Sequence, residues 1–338
     1  MSSAKMIRDS TAGVLRHWKV EPVTSVQRAT SGTMNETWLI TTAQRRLVLR
    51  KHRRTQRDQI AFEHAVITHA RQRGIPCPGA LVTGDGEPIV DHDGAFYSLF
   101  DFARGRQVPR AELTAGHAHA MGVMLARLDL ALADFPVQPQ VVERPSDLTP
   151  VIATVDQLLD HLEQQERPPE QDRRADLDQR AEQDRWAAEF LRSKAAWLRT
   201  AAPPIWRPPP VEALQLVHGD YQESNLFFDA DGSVCDVIDW DKAGSGWPAA
   251  ELVRALDHAL HLDPVLSRAL VEGYRSLRPL SPAELDHAAA NWNYSRVHDH
   301  WVLEGIYLRQ DDRLRIFLEP GPFVPFADQW RRLRPQLG

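Results

Sequence analysis

From Leu216 to Phe228 the chain reads Leu-Val-His-Gly-Asp-Tyr-Gln-Glu-Ser-Asn-Leu-Phe-Phe: an apolar strand ending at Asp220, a short polar loop, and Asn225 opening a second apolar run. The following strand, Val234 to Asp239, ends on another carboxylate, with Trp240 and Asp241 behind it. A carboxylate, an amide five residues later and a second carboxylate beside them are what phosphoryl transfer asks of a protein. One group orients the attacking hydroxyl and accepts its proton, and oxygen ligands hold Mg²⁺ on nucleotide phosphates. A polar hairpin turning at Asp231-Gly232 is the plainer alternative. The Asn225 spacing and the apolar strand ending in Asp239-Trp240-Asp241 favour the chemical one.

Two segments nearer the N-terminus suit the nucleotide side of that chemistry. Ser31-Gly32-Thr33-Met34-Asn35 falls between strand patterns, where backbone N–H groups and small polar side chains could cover phosphates. With its single glycine it would also serve as an ordinary hairpin turn. In Leu47-Val48-Leu49-Arg50, strand alternation puts Val48 and Arg50 on one face, so an apolar side chain can roof a purine while a guanidinium reaches phosphate. Lys51 points the other way. A surface arginine among Arg45, Arg46, Arg53 and Arg54 is the competing account of Arg50.

These residues need elements to hold them. Val23 to Ala103 is strand-rich: Met34 to Thr41 and Arg46 to His52, a helix from Gln56 to Arg73 stopped by Gly74, Pro76 and Pro78, and strands at Leu81 to Thr83 and Ala95 to Phe102. This predicts a small antiparallel sheet carrying one helix. Beyond Gly105, Leu113, His117, Met121, Leu125, Leu128 and Leu132 recur at three- and four-residue steps, the stripe of a buried helix. Residues 156–185, rich in Gln, Glu, Asp and Arg, read as a solvated helix pair or a mobile insertion. Trp186, Phe190 and Trp197 mark another buried stripe, Pro203 to Pro210 a stiff linker, and helices follow the strand pair at Asp231-Gly232. The fold class is α+β in two lobes, residues 1–103 and 104–338.

With 338 residues, 43% hydrophobic and 25% charged, the chain can bury a large core. Lys plus Arg total 40 against 46 for Asp plus Glu, a formal charge of −6, which provides no positive field for nucleic acid or an anionic membrane. Met1 to Trp18 holds no apolar run, and no stretch of about 18 apolar residues occurs, so a cytoplasmic location is expected. Cys77 and Cys235 match no metal spacing and read as small buried hydrophobes. The oligomeric state is open.

The His-Gly-Asp-x-x-x-x-Asn loop from His218 to Asn225 and the Ile-Asp-x-Asp strand end from Ile238 to Asp241 resemble those of the aminoglycoside phosphotransferase and choline kinase family, distant relatives of protein kinases. The resemblance implies a two-lobed protein-kinase-like fold and an ATP- or GTP-dependent, Mg²⁺-requiring kinase of small hydroxylated molecules. It implies Asp220 as catalytic base, Asn225 and Asp239 as metal ligands, and a structural part for His218. Arg50 resembles the choline-kinase side in standing where kinases usually place Lys. Glu63 matches the acidic partner of that cation, Asp101 and Ala103 the hinge that pairs with the purine edge, and Phe227 the purine floor. Ser31, Gly32 and Thr33 match the phosphate loop. Asp241 matches a second carboxylate of variable role, and Glu251 stands where the family commonly has Asp.

Three rivals are separable. A catalytically silent kinase-like binding module would have lost one of Asp220, Asn225 or Asp239, and all three are present. A protein kinase would carry Lys where Gln222 stands, together with an Asp-Phe-Gly segment that this chain lacks. A homoserine-kinase-like enzyme would differ only in its acceptor. Carboxylates at Asp257, Glu272, Asp299, Glu304, Asp311 and Asp312 favour an acceptor bearing an amine, such as an amino alcohol, aminosugar or aminoglycoside. The histidine pairs, His117 with His119, His258 with His261 and His298 with His300, have no third ligand that would make a metal site.

Overall fold

A computed structural model describes residues 11–29, 35–165 and 175–338. A short helix, α1 (residues 11–15), precedes a sheet of β1 (Val23–Arg28), β2 (Glu36–Thr42), β3 (Arg46–Lys51), β4 (Ala80–Leu81), β5 (Val90–His92) and β6 (Ala95–Asp101). Its order is β1-β2-β3-β6-β4, with β5 on β6, and every pairing is antiparallel. Strand alternation does what the sequence required of it. Leu47 and Leu49 are fully buried with Ile40, Leu99, Val14 and Trp18, while Val48 and Arg50 are half-buried on the other face. Each such leucine contributes roughly 1.5–3 kcal/mol.

Helix α2 (Arg57–Gln72) turns Ile60, Glu63, His64, Val66, Ile67 and Ala70 inward, an apolar stripe interrupted by two polar residues. Both are accommodated. The His64 ring lies 3.0 Å from Ser98 Oγ, which also meets His52 at 2.9 Å, so one buried hydroxyl of β6 ties the helix to the end of β3. Glu63 finds Arg50.

Helix α3 (Ala115–Leu132) is opened by a capping box between Thr114 and His117. Behind it come the short strands β7 (Gln215–Val217), β8 (Leu226–Phe228), β9 (Val234–Val237) and β10 (Gly244–Gly246), paired β7 with β10 and β8 with β9. Helices α6 (Pro248–His258) and α7 (Pro264–Arg275) follow. Gly122 of α3 lies so close to α7 that a Cβ would sit 1.9 Å from the Leu270 carbonyl oxygen, so only glycine permits this approach. The chain packs as two compact units, one of residues 1–140 with 209–281 and Leu337, the other of 141–208 with 282–336 and Gly338.

The second unit is helical: α4 (Thr149–Gln165), α5 (Ala175–Leu198), α8 (Pro282–His298), the short α9 (Trp301–Leu303) and α10 (Phe326–Leu333). Within residues 156–185 the expectation of a solvated pair is only half right. Leu158 and Leu162 of α4 are buried with Val151 and Val155 against Ala187, Leu191 and Leu198 of α5, while residues 166–174 lie outside the described residues. Trp186, Phe190 and Trp197 flank that core, two of them against Phe323, whereas the innermost face of α5 is built of alanine, leucine and Lys194. Bulk marks the border of the buried face rather than its centre. Among the described residues no helix is long and apolar enough to cross a membrane.

Candidate active site

The catalytic-loop candidates are held by backbone that few other sequences could adopt. Gly219 has φ 81°, and a Cβ there would lie 2.2 Å from the Lys242 carbonyl oxygen. His218, fully buried, accepts the Asp220 N–H at Nδ1 (3.2 Å), so its Nε2–H donates to the Ile238 carbonyl at 3.0 Å. The ring thereby links the loop to the strand carrying Asp239. Burial pushes its pKa down to about 4, which keeps it neutral in this linking state.

Glu251, near the start of α6, accepts the N–H of His218 at 3.2 Å and of Gly219 at 2.5 Å. The longer side chain at this position therefore does bind the catalytic-loop backbone. Burial, with Asp129 nearby, pushes its carboxyl up to about 8 against those hydrogen bonds.

Asp220 is 6% exposed, and its two carboxylate oxygens meet different cations: Lys242 at 3.1 Å, and Arg254. Burial raises its pKa, but Arg254 and Lys242 outweigh burial and hold it below the ordinary carboxylate value. The Asn225 side chain donates to the Asp220 carbonyl at 2.8 Å, leaving its amide oxygen as an acceptor, and the Asn225 carbonyl takes the Ile238 N–H at 2.9 Å. Asp239 follows Ile238 directly, in the left-handed region at φ 66°, a strained conformation for a non-glycine residue that turns the chain away where the strand ends.

The sheet contributes Arg50, which bonds Glu63 Oε1 at 2.8 Å and lies 3.4 Å from Asp239 Oδ1. Burial disfavours its charge, but Glu63, Asp239 and Asp241 together raise the guanidinium pKa. Burial pushes the Glu63 carboxyl up while Arg50 opposes, and Glu63 Oε2 is buried without a partner. Arg54 bonds the Asp241 carbonyl, and the Asp241 carboxyl is raised by burial and by Asp239. Phe227 meets Phe102 edge to face at 6.2 Å, so the expected purine floor touches the expected hinge. Ala103 is buried and Asp101 exposed. A cavity of about 550 Å³ lined by residues 41–46, Asp101 and Phe102 opens beside that hinge and includes none of Asp220, Asn225 or Asp239.

The structure thus brings together Arg50, Glu63, Asp220, Asn225 and Asp239, and puts Val48, Asp101, Ala103 and Phe227 around the end of the sheet. Ser31, Gly32 and Thr33 lie outside the described residues. Lys242 and Arg254 were missed as partners of Asp220. Arg254 was legible: it stands three residues after Glu251 on α6, so a helix that aims Glu251 at the loop must aim Arg254 there too. Lys242 closes a single 3-10 turn after Asp239, a geometry without a periodic signal. Several of the carboxylates expected to attract an amine already have arginine partners: Glu272 with Arg268, Glu304 with Arg309, Asp311 with Arg313 and Asp312 with Arg315.

Asn225 and Asp239 offer one amide and one carboxylate oxygen, a hard donor set that fits Mg²⁺, which usually takes its remaining ligands from phosphates and water. Among the described residues no three His, Cys, Asp or Glu form a cage of their own.

The sequence model of the phosphotransferase enzyme family, APH, matches residues 25–286. A homoserine kinase of Brucella ovis (strain ATCC 25840 / 63/290 / NCTC 10512) is 26% identical over 302 residues, covering 85% of this chain and 83% of that protein. Among solved structures, a spectinomycin phosphotransferase in complex with ADP and spectinomycin superposes with TM-score 0.64 at 13% identity, covering 100% of this chain and 99% of that one. A microcompartment-associated aminopropanol kinase superposes with TM-score 0.57 at 19% identity, covering 98% and 94%. Such low identities speak for the fold, which is protein-kinase-like.

Proposed function

Since the chain belongs to the phosphotransferase enzyme family and is a small-molecule kinase, we propose that it transfers the γ-phosphate of ATP or GTP to a hydroxyl of a small amine-bearing molecule. The nucleotide sits between the sheet of residues 1–103 and the catalytic hairpins, with Val48 above the purine, Phe227 below it and Asp101 and Ala103 at its edge. Ser31, Gly32 and Thr33 cover the phosphates, and Arg50, oriented by Glu63, binds them. The observation that supports this most directly is the meeting of Arg50, Glu63 and Asp239 within hydrogen-bonding range, with Asn225 linking the Asp239 strand to the Asp220 loop.

In this reading Asp220 is ionised, as its two cationic neighbours favour, and accepts the hydroxyl proton as the acceptor oxygen bonds to phosphorus. The bond from phosphorus to the bridging oxygen breaks, and the nucleoside diphosphate leaves with that electron pair. Asn225 and Asp239 would hold Mg²⁺, which when bound neutralises charge on the phosphates. Lys242, facing Asp220 from the other side, is placed to balance charge building on the transferring group.

A specific observation favours the homoserine-kinase-like variant: the relatives of that name match along 85% of this chain. An ADP-release assay with ATP and GTP across alcohols, amino alcohols, sugars and aminoglycosides tests both readings. Asp220→Asn is expected to lower turnover by roughly two to four orders of magnitude. Turnover within tenfold of the parent would remove Asp220 from the mechanism, and no ADP release with any acceptor would end the reading.

A further inference from the structure

In the reading above, Arg50 meets phosphate at the angle Glu63 gives it. Glu63 Oε1 lies 2.8 Å from Arg50, while Oε2 is buried with no partner among the described residues. A carboxylate held by one oxygen can still pivot, so its place follows from where α2 lies on the sheet. That helix is tied at its last turn, where His69 lies 3.1 Å from the Ala131 carbonyl oxygen, and at its first, where Arg57 pairs with Glu87. Beside Glu63 the tie is His64.

His64 Nε2 lies 3.0 Å from Ser98 Oγ, and His52 Nε2 lies 2.9 Å from the same oxygen. All three residues are buried within the first unit. Ser98 stands directly across from Arg50 in the β3–β6 pairing, which continues to His52 through its N–H donated to the Phe96 carbonyl at 2.8 Å. The strand pleat therefore puts Arg50, His52 and Ser98 on one face. Burial and Arg50 push the His52 ring down to about 3 and that of His64 to about 4, so each is neutral and carries one hydrogen. The hydroxyl also has one hydrogen: it donates to one Nε2 and accepts from the other, which satisfies all three atoms and puts the two rings in opposite tautomers. Apolar side chains could pack here in several registers, whereas a satisfied buried polar network admits one. Phe100 adds a second link, its ring centroid 5.5 Å from that of His64 and 5.6 Å from the Arg50 guanidinium lying over it.

We propose that Ser98 is a positioning residue for the phosphate-binding cation: by clasping His64 it fixes the turn of α2 that carries Glu63, and through Glu63 the angle of Arg50. The effect on nucleotide rests on the kinase reading above, and the coupling of Ser98 to Arg50 does not.

Titration calorimetry of Mg²⁺ with a non-hydrolysable ATP or GTP analogue, on the parent, Ser98→Ala, Arg50→Met and the double variant, reads this apart from turnover. Ser98→Ala is expected to weaken the analogue by about three- to tenfold, the scale of one hydrogen bond, and to change its affinity little once Arg50 is gone, because nothing remains to be positioned. His64→Gln, whose amide can take the place of the ring at Ser98, should stay near the parent, and His64→Leu should fall with Ser98→Ala. That pair decides the matter even where Arg50→Met does not fold. A merely structural hydroxyl gives another pattern: the urea midpoint drops while affinity holds, or affinity drops by the same factor with and without Arg50, and either result overturns the proposal. So does a His64→Gln variant no better than His64→Leu. If the parent binds neither analogue, the nucleotide reading falls and the urea midpoints decide alone. Losses from Ser98→Ala and Arg50→Met that simply sum in the double variant then refute the coupling, and a double loss smaller than the sum sustains it.

Discussion

Asp220 is bound by two cations whose circumstances differ: the Arg254 side chain is 17% exposed and that of Lys242 53%. An exposed ion pair adds about 1 kcal/mol or less to stability, whereas removing one partner of a buried pair leaves a charge uncompensated, at roughly 3–5 kcal/mol. Arg254→Met should therefore lower Tm and turnover together. Lys242→Met should leave Tm close to the parent and lower kcat by about tenfold or more, because its charge faces the side from which phosphate would approach Asp220. Calorimetry and steady-state kinetics on the two variants check this, and a Lys242→Met enzyme with unchanged kcat but reduced Tm would make the lysine merely structural. That Asp220, Asn225 and Asp239 stand on one loop and the neighbouring strand end was legible in the sequence because loop spacing and strand ends are local. Lys242 was not, because nothing in a local pattern states that a turn folds back over the preceding strand.

At the scale of elements, helices meet the proposed site through single side chains: α2 reaches the Arg50 guanidinium through Glu63, and α6 reaches the His218-Gly219 backbone through Glu251. Glu251 makes the second link depend on pH. Its folded pKa of about 8 lies above the ordinary 4.5, so the folded state binds the proton more tightly than the unfolded chain. That contribution is complete below about pH 4.5 and is lost as pH rises through 8, a total on the order of a few kcal/mol. Denaturant unfolding of the parent should show stability falling over this window. Glu251→Gln, an uncharged mimic of the protonated side chain, should flatten the slope, and Glu251→Ala should flatten it too while lying about 1–3 kcal/mol below the Gln variant, because it leaves buried N–H groups unmet. Equal slopes for parent and Gln variant would refute the assignment. The sequence placed helices after the strand pair and singled out Glu251, but whether its side chain spans to the loop depends on the distance between helix and loop, which only the packed structure supplies. On α5 the aromatics Trp186, Phe190 and Trp197 border the buried face, whose centre is alanine, leucine and Lys194.

At the scale of the whole molecule, the sequence drew a boundary at residue 103, where strands give way to helices. The compact units divide elsewhere. Arg104 bonds the Asp236 carboxylate through backbone and guanidinium, Arg106 pairs with Phe228, and Arg50 and Arg54 reach Asp239 and Asp241, so sheet and catalytic hairpins share one unit. Periodicity shows where secondary structure changes, and cross-chain ion pairs of this kind leave no trace in it. Every described residue proposed for nucleotide or metal belongs to that first unit. Ligands that bind only the native state stabilise it by mass action, by about 2.7 kcal/mol at a hundred times Kd. Mg²⁺ with a non-hydrolysable ATP or GTP analogue should then raise the unfolding temperature of the parent, chelation of Mg²⁺ should reverse most of the rise, and Asp239→Ala should abolish it. Differential scanning calorimetry checks this, with hydrogen exchange showing where protection is gained. Protection should concentrate in β3, α2 and the β8–β9 hairpin. A nucleotide-induced rise that survives Asp239→Ala intact would separate the metal from this carboxylate and leave Asn225 without its partner ligand.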